Sequence, residues 1–193
     1  MSEFAFILGN GKTRLDITPG ELSACGRVYA CNRIYNEFTP DVLVSTDAAM
    51  AREIQESGYS ENNLHYTRES NIIRGSGARA LMPEYTGFSS GPNAIALAAA
   101  EEIPYIFLIG FDLDSETKLI NNIYSGTAHY APSDALTTNS DNWINQIYEI
   151  AEKYKNQRFM HVNPLLEYTP AYWLTLPNFE AIDLKGFKFM LNI

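Results

Sequence analysis

The hydrophobic positions of this chain fall into short continuous runs separated by polar and helix-forming stretches. Phe4-Ala5-Phe6-Ile7-Leu8 is apolar at every position, which predicts a strand buried on both faces. Val28-Tyr29-Ala30-Cys31, Val42-Leu43-Val44-Ser45, Tyr105-Ile106-Phe107-Leu108-Ile109-Gly110 and Phe159-Met160-His161-Val162 repeat that pattern. Between them, Thr18-Pro19-Gly20-Glu21 reads as the start of a short helix. Ala48 to Glu56 carries helix formers and stops near Gly58, a C-terminal signal. In SSGPNAIALAAAEE, Ser90 is the expected cap and Pro92 falls in the first turn of an alanine-rich helix. Ser140 to Lys155 sets Trp143, Ile147, Ile150 and Ala151 at helical spacing. From 59 to 88, Leu64-His65-Tyr66 and Ile72-Ile73 read as short strands, and GSGAR and PEYTGF as loop. The tail after Asn163, with three prolines and many aromatics, is expected to wrap the surface.

Strands that alternate with helices and are apolar throughout predict one Rossmann-like α/β domain over residues 1–193. It is a three-layer fold with a mainly parallel sheet and helices on both faces. The stretch from Leu113 to Thr138 is far longer than an ordinary connection and is expected to be lid-like. In such sheets ligands bind beyond the carboxyl ends of the strands, where the strand order reverses. Asn10, Asn32, Asp47 and Asp112 each follow an apolar strand. The opening turn, Gly9-Asn10-Gly11-Lys12-Thr13, is neither GxGxxG nor a Walker loop. Alone it suits a phosphate-binding turn or a tight turn needing positive φ; its place at a strand end favours the nucleotide.

The net charge of −9 opposes general nucleic-acid binding, which relies on many Lys and Arg contacts to phosphate. A small anion is still accessible to an acidic protein through helix N-termini and backbone amides. No run approaches the roughly 18 apolar residues of a membrane span, and no signal peptide is visible. Two cysteines make no disulfide framework, so a cytoplasmic location is expected. The oligomeric state is not encoded in any pattern here. HExxH, CxxC, EF-hand and nucleophile-elbow patterns are all missing, which weakens the protease, esterase and zinc-enzyme classes.

Three blocks together resemble the family-42 sialyltransferases: GNG after the first strand, CNRIY after the second, and SSGPNAIALAAAEEIPYIFLIGFDL. The resemblance spans roughly residues 4 to 163 and rests on order and spacing. It implies a pocket for a nucleotide or nucleotide-sugar, of CMP type, held by Gly9, Asn10, Gly11 and Asn32. Ser89, Ser90 and Gly91 would lie at the turn facing the sugar nucleotide, and Tyr124 and Tyr130 would hold the leaving phosphate. Direct displacement at the anomeric carbon follows, without a metal or other cofactor. The same blocks are similar to the MptE-like proteins, Rossmann-like relatives with a pyrophosphokinase member. PDVLVSTDAAM matches their Pro-Asp-strand-Asp pattern better, and that alternative implies magnesium. The chain departs from the sialyltransferases in reading GNGKT rather than GNGPS. Beyond His129-Tyr130 it has Ala131-Pro132-Ser133-Asp134 where their general-base histidine is expected. It is also shorter than those enzymes and lacks their C-terminal membrane-associating region. A non-catalytic nucleotide-binding protein is the third reading.

Each candidate residue has a structural reading beside the functional one. Asn10 suits a left-handed turn, and Asn32 an Asx turn. Arg33 is a surface cation or a phosphate partner. Asp47 is a helix cap or, under the kinase reading, a magnesium ligand. Ser90 caps its helix and can share that end with an anion. Asp112 and Asp114 bond within the loop or meet ribose, acceptor or metal. His129, in the long loop near Tyr124 and Tyr130, is the candidate catalytic base. His161 and Cys31 read as core residues.

Overall fold

The computed structural model describes residues 2–113, 119–137, 139–163 and 169–193. Eight strands form one sheet: β1 (Phe4–Leu8), β2 (Arg27–Cys31), β3 (Val42–Val44), β4 (His65–Thr67), β5 (Arg79–Ala80), β6 (Tyr105–Ile109), β7 (Arg158–Val162) and β8 (Phe179–Ile182). Their order is β5-β4-β3-β2-β1-β6-β7-β8, and every pairing is parallel. From β1 the chain first builds outward on one side and then returns to build on the other. The order therefore reverses between β1 and β6, and their carboxyl ends open the crevice where such folds hold ligands.

Alternation along each strand separates the two layers of core. Ala5 and Ile7 of β1 face one layer with Ile106 and Leu108 of β6, under α4 (Ser90–Ala100) and α5 (Asp141–Lys153). Phe6 and Leu8 face the other with Phe107 and Ile109. There they meet Leu22 of α1 (Pro19–Cys25), Met50 and Ile54 of α2 (Ala48–Glu56), and Phe187 of α6 (Leu184–Leu191). A further one-turn helix, α3 (Tyr59–Asn62), follows α2. Because both faces of the central strands are covered, continuous apolar sequence is what they require. Among the described residues, no helix is long and apolar enough to cross a membrane.

Two expectations fail. Ile72 and Ile73 form no strand: a short 3-10 turn precedes them, and the Ile73 N–H goes to the Gln55 side chain at 2.8 Å. The fifth strand is instead Arg79–Ala80, inside the stretch expected to be loop. The tail does not simply wrap the surface either. Its described part adds β8 in register with β7, from Phe159↔Phe179 to Val162↔Ile182, and then α6. Trp173 explains the docking. It is fully buried against Phe179 and His161, and its indole N–H donates to the Ile144 carbonyl at 2.9 Å. Burying one large aromatic contributes about 2–3 kcal/mol, enough to hold a short edge strand in place.

Candidate functional site

The opening turn continues the sheet past β1. The Gly9 N–H donates to Ile109 O and the Gly11 N–H to Gly110 O, each at 2.8 Å. This lateral pairing brings two backbones so close that side chains are excluded. A Cβ at Gly9 would lie 2.5 Å from Gly110 O, and one at Gly11 would lie 2.4 Å from the Asp112 carboxyl carbon. Positive φ is found at Gly110 (+73°), whereas Gly11 is extended at φ −68°. Asn10 is not left-handed, contrary to the turn expectation; Asn32 is, at φ +58°. The glycines are there for close approach rather than for turn geometry.

Beneath the turn, buried Arg14 donates to Gly9 O (3.3 Å) and to the Tyr124 hydroxyl (3.0 Å), with Glu37 3.7 Å away. Asp112 receives the Thr13 N–H at 3.1 Å, the Thr13 hydroxyl, and the Asn121 amide at 2.8 Å. This carboxylate ties three segments together: the opening turn, the end of β6 and the long loop.

Above this floor is a cavity of about 430 Å³. Gly9, Asn10, Gly11, Asn32, Ser89, Ser90, Gly91, Asp112 and Tyr130 all line it, so nine of the residues expected from sequence meet in one place. The Ser90 hydroxyl is not the expected cap. It donates to Asn32 Oδ1 (3.1 Å), accepts the Thr46 N–H (3.0 Å), and lies 3.0 Å from the Thr46 hydroxyl. Ser89 holds the cap position without a side-chain cap bond; its hydroxyl accepts the Trp143 indole N–H at 2.9 Å. The backbone N–H groups of Ser90 and Gly91 open α4 with no acceptor among the described residues, and Pro92 has none to offer. Asn10 donates to the Tyr130 hydroxyl at 3.3 Å, while its buried Oδ1 has no partner among the described residues. Burial pushes the Tyr130 hydroxyl up from its usual range and the Cys31 thiol up to about 12. Neither is a nucleophile at neutral pH.

Three expected residues lie elsewhere. Tyr124 is buried against Arg14, which occupies the hydroxyl expected to meet phosphate. Arg33 turns away, 3.4 Å from Ala128 O and 3.8 Å from Glu53. His129 lies outside the main cavity, with φ +68°, and its Nε2 is 2.9 Å from Glu53 Oε2. It lines a smaller neighbouring pocket of about 130 Å³ with Met50 and with Asn32, Asp47 and Tyr130, which the two cavities share. Asp114 lies outside the described residues. Sequence reasoning missed Arg14, Thr46, Glu53, Asn121 and Trp143. Of these, only Trp143 carried a signal, as the one bulky residue of its helix stripe at the strand-end side.

Asp47 caps α2, accepting the Ala49 and Met50 N–H groups at 3.0 Å each. With Asp112 bonded to three donors, both carboxylates of the magnesium expectation are occupied by protein N–H and O–H groups. Among the described residues no three His, Cys, Asp or Glu side chains gather as a metal site. Compared with known proteins, the chain matches no family model, no curated protein and no solved structure.

Proposed function

We propose that the main cleft binds a CMP-linked sugar and that the protein is a sialyltransferase-like glycosyltransferase. One observation carries this reading. The open N–H pair of Ser90 and Gly91 starts α4 beside Asn32, Thr46 and Phe111, in a cavity that reaches the strand-order reversal and is lined by no Lys or Arg among the described residues. A helix start supplies a positive partial charge and two donors, which suits one phosphate. Two carboxylates in the wall, and no cation, suit a triphosphate poorly. Asn10 Oδ1, a buried acceptor without a described partner, is a group that a ligand N–H or O–H can satisfy after a small rotation. Trp143 and Phe111 supply apolar wall for a base or sugar ring. A magnesium-dependent pyrophosphokinase would have to release Asp112 from Thr13 and Asn121.

The reaction is a direct displacement. The acceptor oxygen bonds to the anomeric carbon as that carbon's bond to the CMP phosphate oxygen breaks. The acceptor proton passes to His129, and CMP leaves with the bonding electrons on its phosphate.

Thermal unfolding with CMP, CDP, UDP and ATP, each with and without magnesium, tests the binding. A ligand at a hundred times its Kd adds about 2.7 kcal/mol to the native state, so a clear rise in Tm is expected with CMP alone. A rise confined to magnesium-ATP would replace this reading with the kinase. No rise with any nucleotide would end it.

A further inference from the structure

Glu53 was invisible as a functional residue in the sequence, and it does not line the small pocket, yet it holds His129, which does. Its Oε1 accepts the Tyr35 hydroxyl at 2.9 Å and lies 3.8 Å from Arg33; its Oε2 meets His129 Nε2. Desolvation raises its carboxyl, but the hydrogen bonds from Tyr35 and His129 and the charge of Arg33 outweigh that and hold it below the usual range. It is therefore an anion at neutral pH, and an anion accepts but does not donate. Whenever the His129 ring is neutral its hydrogen is then on Nε2, and Nδ1 is the nitrogen with the lone pair. No bond from Nδ1 to a described residue accompanies that of Nε2. The left-handed backbone of His129 is a strained conformation for a non-glycine residue, retained where the surroundings dictate it.

We propose that Glu53 is a positioning residue that fixes His129 in the Nε2–H tautomer, with Nδ1 as proton acceptor, and that the acceptor hydroxyl enters through the small pocket. This rests on the transfer reading above. Asn32, Asp47 and Tyr130 line both cavities, so a hydroxyl in the small pocket adjoins a donor in the large one. The polar Asn32 and Asp47 suit a hydroxyl-bearing acceptor such as a sugar or polyol. In the reaction, His129 Nδ1 takes the acceptor proton and the Glu53 carboxylate stabilises the resulting imidazolium, without itself becoming protonated.

The test combines nitrogen-15 NMR of the histidine rings with steady-state kinetics. At pH 8 the wild-type His129 ring should carry its hydrogen on Nε2, and Glu53→Ala should show a mixture of tautomers. Glu53→Gln keeps one acceptor oxygen, for the ring or for Tyr35 but not for both, and removes the charge. It should lower kcat for consumption of CMP–N-acetylneuraminic acid by about 10- to 100-fold, with KM and CMP affinity unchanged. That is less than the roughly 10⁴-fold of a buried triad carboxylate, because the Glu53 and His129 side chains are 33% and 32% exposed. A wild-type hydrogen on Nδ1, or an unchanged kcat in Glu53→Gln, overturns the proposal. A correct tautomer in a protein that binds no CMP would fault the transfer reading instead, and with it the catalytic meaning of the pair.

Discussion

The floor of the cleft is made of backbone pressed against backbone, with Arg14 buried beneath it and Asp112, at its edge, bonded to Thr13 and Asn121. The rim is made of long side chains from three segments, His129, Glu53 and Arg33, each about a quarter to a third exposed and meeting only at their tips. The floor cannot change without disturbing the sheet. The rim can change without the sheet being affected. Under the proposed function, binding is accordingly coupled to stability in the first region, and chemistry is separable from it in the second.

The strongest test of that contrast is at the rim. His129→Ala should cut turnover of a CMP-linked donor by roughly two to four orders of magnitude, the usual worth of general acid–base catalysis. CMP affinity, measured by calorimetry, should stay within about twofold. If affinity falls as well, the histidine touches phosphate and the rim belongs with the floor.

Acid probes the buried histidines of the sheet. His161 donates from Nε2 to Phe111 O at 3.1 Å, behind the cleft wall, and Thr169 meets its Nδ1 at 2.8 Å. His65 is buried between the hydroxyls of Ser45 and Ser60. Burial lowers both histidines from 6.5 to about 4, so both are neutral in the native state. Between those pH values the unfolded chain binds more protons, and stability must therefore fall as pH falls. The contribution is complete above about pH 6.5 and is lost down to about pH 4, worth about 3 kcal/mol for each histidine. Urea unfolding at pH 7.5 and 4.5 measures this loss, and His161→Gln should flatten the dependence. A pH-independent midpoint would contradict neutral burial.

Gly9→Ala should destabilise by about 1–3 kcal/mol, because the new methyl meets the Gly110 carbonyl. It should also abolish the Tm rise with CMP. Retained binding in a destabilised variant would separate two properties that the floor is expected to couple. The smallest effect is at Asp47, where Ala removes a helix cap worth about 1 kcal/mol. Asp47→Asn keeps the cap and should keep the CMP response; losing a magnesium-ATP response instead would favour the kinase.

The central strands were legible because each is a run of apolar residues with no wet face to interrupt it, as in Phe4–Leu8 and Tyr105–Ile109. β5 was not, since two exposed residues, Arg79 and Ala80, carry no pattern. β8 was hidden in an aromatic tail whose anchor, Trp173, announces burial but not pairing. At the site, strand-end residues such as Asn10, Asn32 and Asp112 followed from topology, and Ser90 from its place at the start of a helix. Ser90's bonds to Asn32 and Thr46 did not, because partners from different strands leave no spacing to read. The Glu53–His129 pair is hidden for the same reason, and the demand for glycine at 9 and 11 came from contact rather than from φ.

The order of the strands also sets a timetable. β1 is the first of the eight strands to be made yet lies at the centre, and after pairing with β2 it finds its second neighbour only when Tyr105–Ile109 has been synthesised. Until then one of its edges is open, and the cleft has only half its floor. Pairings this distant in sequence make folding slow relative to helical chains of similar length. An apolar central strand waiting beside an open edge is also prone to pair with the wrong chain. The same continuous hydrophobicity that makes β1 secure in the finished molecule makes it the most exposed liability while the molecule is being made.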